Sequence, residues 1–179
     1  AHLPQLIGAP DDKSLAYATT YFEQFCMNII PLAGLAEAEF AKLLCNSWRD
    51  VSFAFANEFA TVSEAFSIDA GALIEKCNLG YERARIPLPS PGVGGYCLTK
   101  DPYLYAESFR RSFDDTDILP LSIVGRNINT KAAEAPDRAL ENYIAKTGKQ
   151  PAQTKVLIVG LAFKSKPDTD DLRHSTSVA

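Results

Sequence analysis

Large apolar residues recur at intervals of three and four between positions 40 and 66, and this pattern restricts the fold more than any other feature. They are Phe40, Leu44, Trp48, Val51, Phe55, Phe59, Val62 and Phe66. An α-helix turns once in about 3.6 residues, so this spacing places them on one stripe along about eight turns. So long a helix usually forms the spine of a helical domain or a subunit interface. The stripe therefore predicts a mainly α fold.

Capping residues, prolines and glycines predict three further helices. Their expected bounds are Ser67 or Asp69 to Gly80, Asp101 to about Phe109, and Leu119 to Lys146 with a break at Pro136 and closure at Gly148. In the second of these helices, Asp101 is the expected N-cap and Pro102 the first helical residue.

The two ends of the chain show α/β patterns. Residues 3–8 form a short apolar run ended by glycine and proline, which predicts a strand. Asp11 or Asp12 is expected to cap a helix that runs to about Asn28. Residues 155–159 have the composition of a buried parallel strand. This change from a helical to a βα pattern predicts a domain boundary near residues 148–154.

Composition argues against several classes of protein. The formal net charge is −4 and no Lys/Arg run occurs, which disfavours nucleic acid or an anionic membrane as the main partner. No apolar stretch approaches the roughly 20 residues of a bilayer span, and the N-terminus lacks the pattern of a signal peptide. Met27 is the only methionine, so we expect an excised or incomplete chain. The four cysteines form no C-x-x-C pair, which predicts reduced thiols, no metal site and a cytoplasmic protein.

Cys97 is the strongest candidate for chemistry. It follows an irregular segment, residues 86–96, and lies four residues before the predicted helix start at Asp101. A helix N-terminus and a nearby cation, here Lys100, lower a thiol pKa and favour the nucleophilic thiolate. A buried, inert thiol is the alternative, and position alone leaves both open. The other cysteines, at helical positions, are expected to be buried and inert; they are Cys26, Cys45 and Cys77.

Lys42 and Asn46 lie four residues apart and therefore share one face of the long helix. A lysine that stabilises an oxyanion and an asparagine that orients a water would suit a covalent thiol mechanism. A solvated polar face is the alternative for this pair. It is also the interpretation of the neighbouring polar residues Arg49, Asp50, Asn57 and Glu58. Residues 160–173 would form either a phosphate-binding βα turn or an exposed polar loop.

Three motifs follow one another along the chain. They are Ala41-Lys42…Asn46…Arg49…Asn57-Glu58, PGVGGYCLTKDP at 91–102, and GLAFK…DTDDLR at 160–173. Together they resemble the UDP-glucose/GDP-mannose dehydrogenase family. The second and third motifs are highly specific in this order and spacing, whereas related β-hydroxyacid dehydrogenases also carry the Lys-x-x-x-Asn pair.

The resemblance implies three parts. Residues 1–30 would end an N-terminal Rossmann domain that binds NAD. Residues 31–150 would form a central helical domain that forms a homodimer, and residues 151–179 would begin a C-terminal α/β domain that binds the UDP-sugar. The chain contains no G-x-G-x-x-G loop, so we expect it to bind NAD poorly and to be inactive alone.

The resemblance also implies a reaction and its catalytic residues. The family oxidises C6 of a nucleotide sugar from alcohol to carboxylate with two NAD. By similarity, Cys97 attacks the aldehyde to form a thiohemiacetal, and a second oxidation gives a thioester that water hydrolyses. Lys42 stabilises the oxyanions, Asn46 holds the reacting oxygen or water, and Asp101 assists the base step and positions Lys42 or the water.

Binding residues are implied in the same way. The substrate set is Gly92, Gly94, Gly95, Tyr96, Lys164 and either Arg83 or Arg85, and the cofactor-phosphate contact is Arg173. Arg126 and Asn129 resemble an R-x-x-N element of the family without a defined role. Tyr96 before the cysteine favours the UDP-N-acetyl-hexosamine branch over the UDP-glucose branch.

Two alternatives stay open beside this hypothesis. The chain is a helical assembly module only, or it belongs to a β-hydroxyacid-type dehydrogenase that uses Lys42 and Asn46 without covalent catalysis.

Overall fold

The computed structural model describes residues 3–113 and 119–158, and most of them are helical, as the apolar stripe predicts. The elements are β1 Gln5–Ile7, α1 Asp12–Phe22, β2 Ile29–Pro31, α2 Leu35–Ala65, α3 Ala70–Asn78, α4 Asp101–Ser112, α5 Leu121–Ala132 and α6 Ala135–Thr147, with 3₁₀ turns at Glu82–Ala84 and Pro151–Gln153. The chain divides into two compact units, Ala1–Cys45 and Asn46–Ala179. This division falls inside α2.

The first unit contains a small βαβ arrangement. β1 pairs in parallel with β2, and α1 connects them. The Asp11 carboxylate caps α1 by accepting a hydrogen bond from the Ser14 backbone N–H at 2.8 Å. The predicted strand and cap are confirmed, but α1 ends at Phe22 and not near Asn28. The helix ends early because the chain turns at Phe22 and then pairs as β2, a strand that the apolar pattern did not predict.

Helix α2 confirms the long helix but presents its apolar stripe to the exterior. Six of the eight stripe residues are exposed, with fractions of 47% to 71%; they are Phe40, Leu44, Trp48, Phe55, Val62 and Phe66. The buried face within the second unit carries small and polar side chains instead, namely Ser47, Asp50, Ala54, Asn57 and Ser63. The buried face of α2 is therefore largely polar.

Helix α5 packs closely on this buried face. A Cβ atom on Gly125 would lie 3.1 Å from Cγ2 of Val51, so glycine permits the close approach of the two helices. The close approach brings the polar side chains of α5 within hydrogen-bonding distance of those of α2, as at Arg126 and Asp50.

The predicted bounds of the shorter helices are confirmed within a few residues. Asp69 caps α3, and Gly80 follows it with φ +70°. The third predicted helix is divided into α5 and α6, and Gly148 ends α6 in the left-handed region. At α4 the prediction is one residue off, because Lys100 is the N-cap residue and Asp101 already belongs to the helix, which continues to Ser112.

The predicted buried strand at residues 155–159 is wrong for the part that the structure describes. Residues 155–158 form no strand, and Val156, Leu157 and Ile158 are 52% to 85% exposed. A parallel strand needs a hydrogen-bonded neighbour and cover on both faces. Among the described residues, none pairs with this segment.

Candidate active site

Cys97 lies on an irregular segment, residues 85–100, between a 3₁₀ turn and α4. Its backbone carbonyl accepts hydrogen bonds from the N–H groups of Lys100 at 3.1 Å and Asp101 at 2.9 Å. The side chain is half-buried and forms no disulfide. A half-buried thiol is partly accessible to a reagent, and Cys97 precedes α4, a helix N-terminus of the kind that favours nearby negative charge.

Gly95 shapes the turn before the cysteine. Its φ of +98° lies in a region that side-chain-bearing residues rarely adopt. Its carbonyl accepts hydrogen bonds from the N–H and the hydroxyl of Thr99, at 3.3 and 2.9 Å. The turn is thereby closed around Cys97. Gly92 and Gly94 are half-buried in the same segment, and Tyr96 is 67% exposed.

The Asp101 carboxylate binds the Asn46 amide and the Lys100 ammonium. It is fully buried, and it accepts a hydrogen bond from Asn46 Nδ2 at 2.6 Å on one oxygen. The other oxygen forms an ion pair with the Lys100 ammonium. The structure therefore brings together Asn46 and Asp101, two residues that the sequence motifs placed in one site.

Lys100 supplies a positive charge at this site. The hydrogen bond to Asp101 raises the pKa of the Lys100 ammonium, and electrostatic interactions with Asp101 and Cys97 add to the rise. Partial desolvation opposes it. Lys100 therefore remains a cation within electrostatic range of the Cys97 sulfur. The sequence indicated Lys100 as a cation near Cys97, whereas the family resemblance gave it no separate role.

Lys42 is an exposed residue of α2 and belongs to the first unit. Its approach to Cys97 stays a prediction. Arg83 and Arg85 are exposed, the first inside a 3₁₀ turn and the second directly after it. Lys164 and Arg173, with the whole GLAFK…DTDDLR motif, lie outside the described residues.

Two polar residues of α2 are not solvated, contrary to the sequence-based interpretation. Asp50 has no exposed surface and Asn57 is 6% exposed, whereas Arg49 and Glu58 are exposed as expected. The two residues are buried because they meet complementary polar groups of α5, including Arg126. Their spacing of seven residues, two helical turns, was the available signal, because it places them on one face.

The remaining cysteines also differ from expectation. Cys45 and Cys77 are exposed and Cys26 is half-buried, so the prediction of buried thiols is wrong. Cys45 and Cys77 lie on outward faces of α2 and α3, and Cys26 follows the turn after α1.

The structure describes a βα turn between β1 and α1. The turn between β1 and α1 has the sequence GAPDD and lacks a G-x-G-x-x-G pattern. The helix N-terminus that would hold a phosphate is already capped by the Asp11 carboxylate, whose negative charge opposes a second anion. Within residues 3–113 and 119–158, no helix combines the length and apolar character needed to cross a bilayer.

Comparison of the chain with known proteins identifies a matching family and several relatives. The model of the UDP-glucose/GDP-mannose dehydrogenase family, central domain, matches residues 36–129. UDP-N-acetyl-D-mannosamine dehydrogenases from Pyrococcus horikoshii and from Escherichia coli are each 32% identical, and each alignment covers 97% of this chain and 40% of the relative. The chain thus spans about 40% of the length of these curated relatives.

Solved structures show the same similarity. The UDP-D-ManNAc dehydrogenase of Pyrococcus horikoshii superposes with a TM-score of 0.82 at 28% identity, over 99% of this chain and 40% of that one. The UDP-N-acetyl-mannosamine dehydrogenase of Staphylococcus aureus gives a TM-score of 0.72 at 30% identity, over 99% and 38%.

Proposed function

Because this chain belongs to the UDP-glucose/GDP-mannose dehydrogenase family, we propose that it forms the central part of an enzyme that oxidises C6 of a UDP-sugar from alcohol to carboxylate. NAD supplies the chemistry of hydride acceptance, and its site lies mainly outside the described residues, with Arg173 as one contact. The 179-residue chain alone is inactive under this proposal. The three-part division at residues 30 and 150 remains part of it.

One observation carries the proposal: a half-buried thiol in the turn before α4 is four residues from a buried carboxylate that binds an amide and an ammonium. The thiol is Cys97, and the carboxylate of Asp101 binds Asn46 and Lys100. A nucleophile, a cation and a fixed amide are the groups that covalent oxidation of an aldehyde needs. A dehydrogenase that does not form a covalent intermediate has no use for the thiol.

The proposed oxidation of the C6 alcohol to a carboxylate takes four steps. Loss of a hydride and a proton converts the C6 alcohol to an aldehyde. The Cys97 sulfur adds to the aldehyde carbon, and the oxygen takes a proton to give a thiohemiacetal. Loss of a second hydride and proton gives a thioester. Water attacks the thioester carbon and releases the carboxylate and the free thiol.

The neighbouring side chains would act at defined atoms. Because Asn46 Nδ2 donates to Asp101, the amide oxygen points away from that carboxylate. It would accept a hydrogen bond from the C6 hydroxyl or from the attacking water. The ammonium groups of Lys42 and Lys100 would stabilise oxyanions at C6 and the thiolate. Asp101 would hold the amide and receive a proton through the water.

The relatives favour one class of substrate. Those from Pyrococcus horikoshii and Escherichia coli are named UDP-N-acetyl-D-mannosamine dehydrogenases. We propose a UDP-N-acetyl-hexosamine as the substrate, bound by the segment Gly92–Tyr96, by Arg83 or Arg85, and by Lys164. We expect the enzyme to act in the cytoplasm, where its thiols stay reduced.

The full-length protein should form two NADH for each UDP-N-acetyl-D-mannosamine consumed, and the product should be the acid. The reason is that alcohol-to-acid oxidation removes two hydrides. NADH is measured by absorbance and the product by mass spectrometry, with UDP-glucose as the comparison substrate. The isolated 179-residue chain serves as the control that should show no turnover. A ratio of one, with an aldehyde or ketone as the product, would contradict the proposal.

The exposed stripe of α2 favours a second role, assembly. Contiguous apolar surface of this kind is rare on monomeric proteins and marks interaction sites. An apolar groove of about 460 Å³ lies beside it, and its lining includes Trp48, Phe55, Ile86 and Leu121. We propose that a second copy of the chain covers this face in a homodimer.

Light scattering of the 179-residue chain should therefore give twice the mass of one chain. Replacing both Trp48 and Phe55 by Glu should produce a monomer, because four charges would be buried in the two-fold interface. Tyr17→Glu is the matched control, since Tyr17 is also exposed, at 78%, but lies on α1. A monomeric wild-type chain would rule out the assembly role.

A further inference from the structure

The segment that carries Cys97 is held by buried side chains of two helices. Asn57 Oδ1 on α2 accepts a hydrogen bond from the Ser90 backbone N–H at 2.8 Å. Arg126 on α5 donates from Nη2 to the Val93 carbonyl at 2.9 Å and from Nη1 to the Leu98 carbonyl at 3.2 Å. The two carbonyls lie on either side of Cys97 in the chain. One guanidinium therefore fixes both ends of the turn that presents the thiol.

Arg126 is itself fixed by buried polar groups. Its Nη1 forms an ion pair with Asp50 Oδ1 at 2.7 Å, and both residues are buried, at 4% and 0% exposure. Asn129 Nδ2 donates to the Asp50 carbonyl at 2.8 Å and to Asp50 Oδ1 at 3.0 Å. Asn57 Nδ2 donates to Asn129 Oδ1 at 2.9 Å. We name Asp50, Asn57, Arg126 and Asn129 the Arg126 network.

The chemistry of the guanidinium suits this task. It is planar and presents several donors in a rigid fork, so that its contacts with one carboxylate and two carbonyls fix its orientation. A lysine ammonium is a single point of donation and cannot reproduce that geometry. The burial of an ion pair contributes little net stability compared with apolar packing, so stability alone does not account for the choice of residue.

We propose that Arg126 is a positioning residue, which sets the location of the Cys97 thiol through the carbonyls of Val93 and Leu98. Asp50 and Asn129 orient the guanidinium, and Asn57 holds the segment at Ser90. The placement of the thiol follows from these contacts alone. The consequence for catalysis rests on the proposed dehydrogenase function.

Arg126→Lys tests the placement in the 179-residue chain. The ammonium can remain paired with Asp50, while at least one carbonyl contact is lost. The turn then opens, and iodoacetamide should alkylate the half-buried Cys97 about fivefold faster or more. Peptide mass spectrometry measures the rate, with the exposed thiols Cys45 and Cys77 as internal references that should not change. Arg138→Lys is the matched control, because Arg138 pairs with Glu134 at the surface.

The same substitution in the full-length protein separates positioning from folding. We expect kcat to fall on the order of 100-fold with KM nearly unchanged, because displacement of a reacting atom by about 1 Å has this effect. An unchanged Cys97 alkylation rate in a folded Arg126→Lys chain overturns the proposal. If the full-length protein oxidises no UDP-sugar, the proposed function fails, and the alkylation rate still decides the role of Arg126.

Hydrogen exchange of the wild-type chain provides a measurement that does not depend on a variant. The Ser90 amide should be protected, and the peptide covering residues 90–98 should exchange more slowly than the same free peptide. Exchange at the rate of the free peptide overturns the proposal. Asn57→Ala, which removes the contact with Ser90, should abolish the protection of that amide and accelerate Cys97 alkylation.

Discussion

Cys97→Ser in the full-length protein should reduce the rate of acid formation by on the order of 1,000-fold or more. A serine hydroxyl is a weak nucleophile unless a base activates it, whereas a thiol is partly ionised near neutral pH. The first oxidation, from alcohol to aldehyde, does not need the sulfur. The variant should therefore stop after one NADH and leave the substrate KM nearly unchanged.

The NADH yield for each sugar and the trapping of an aldehyde by hydroxylamine check this expectation. Cys77→Ser is the matched control, because Cys77 is an exposed thiol on α3 and is not among the residues assigned to the site. Full acid formation by Cys97→Ser would remove the thiol route. It would favour the β-hydroxyacid-type alternative, in which Lys42 and Asn46 act without a covalent intermediate.

Local signals predicted the helices well. The stripe from Phe40 to Phe66 gave the length of α2, since 3.6-residue periodicity over many turns has no other regular interpretation. The caps of α3, Asp69 and Gly80, were visible because a side-chain acceptor and a residue free to adopt positive φ are local requirements. Pairing partners are not local, so the short strand β2 was missed and residues 155–158 were assigned to a strand.

Which face of α2 is buried could not be predicted from the stripe. Trp48 and Phe55 are exposed, while Asp50 and Asn57 are buried. Hydrophobicity predicts that the apolar face is buried. It does not show whether that face packs against the same chain or against a partner. The polar face is buried because Arg126 and Asn129 of α5 pack against it. Nothing in the α2 sequence shows that these two residues face α2.

The candidate site was predicted in part for the same reason. Asn46 and Asp101 were placed together by the family motifs, and the structure joins them at 2.6 Å. In the Arg126 network, Arg126 and Asn129 lie more than 25 residues after Cys97 in the chain, and Asp50 and Asn57 lie 40 residues or more before it. Residues that hold a reactive segment through its backbone place no constraint on the sequence of that segment, so the sequence around Cys97 does not show that Arg126 and Asn57 hold it.

Arg126→Met should lower the free energy of unfolding by about 3–5 kcal/mol at neutral pH. The substitution leaves the Asp50 carboxylate buried without its cation, and uncompensated burial of a charge is strongly unfavourable. Urea denaturation of the 179-residue chain, followed by circular dichroism, measures the change. Arg138→Met is the control and should change the free energy by about 1 kcal/mol or less, because the pair of Arg138 and Glu134 is exposed.

The pH dependence identifies the cause. Burial already raises the pKa of Asp50 above its ordinary value of 3.8, against the opposing charge of Arg126 and the hydrogen bond from Asn129. Without Arg126, the opposition weakens and the pKa of the folded-state carboxyl rises further. Between 3.8 and that raised value the folded state binds more protons than the unfolded state, so stability falls as pH rises through this window. The loss caused by Arg126→Met should therefore be smaller at pH 4 than at pH 7.

A double variant separates the buried charge from lost packing. Asp50→Asn combined with Arg126→Met removes both charges, so it should recover part of the stability at pH 7 and show little difference in its loss between pH 4 and pH 7. If the double variant is as unstable as Arg126→Met at both pH values, then the loss comes from packing and from the unpaired carbonyls of Val93 and Leu98. The ion pair would then serve to aim the guanidinium at the Cys97 turn, without itself determining the stability of the fold.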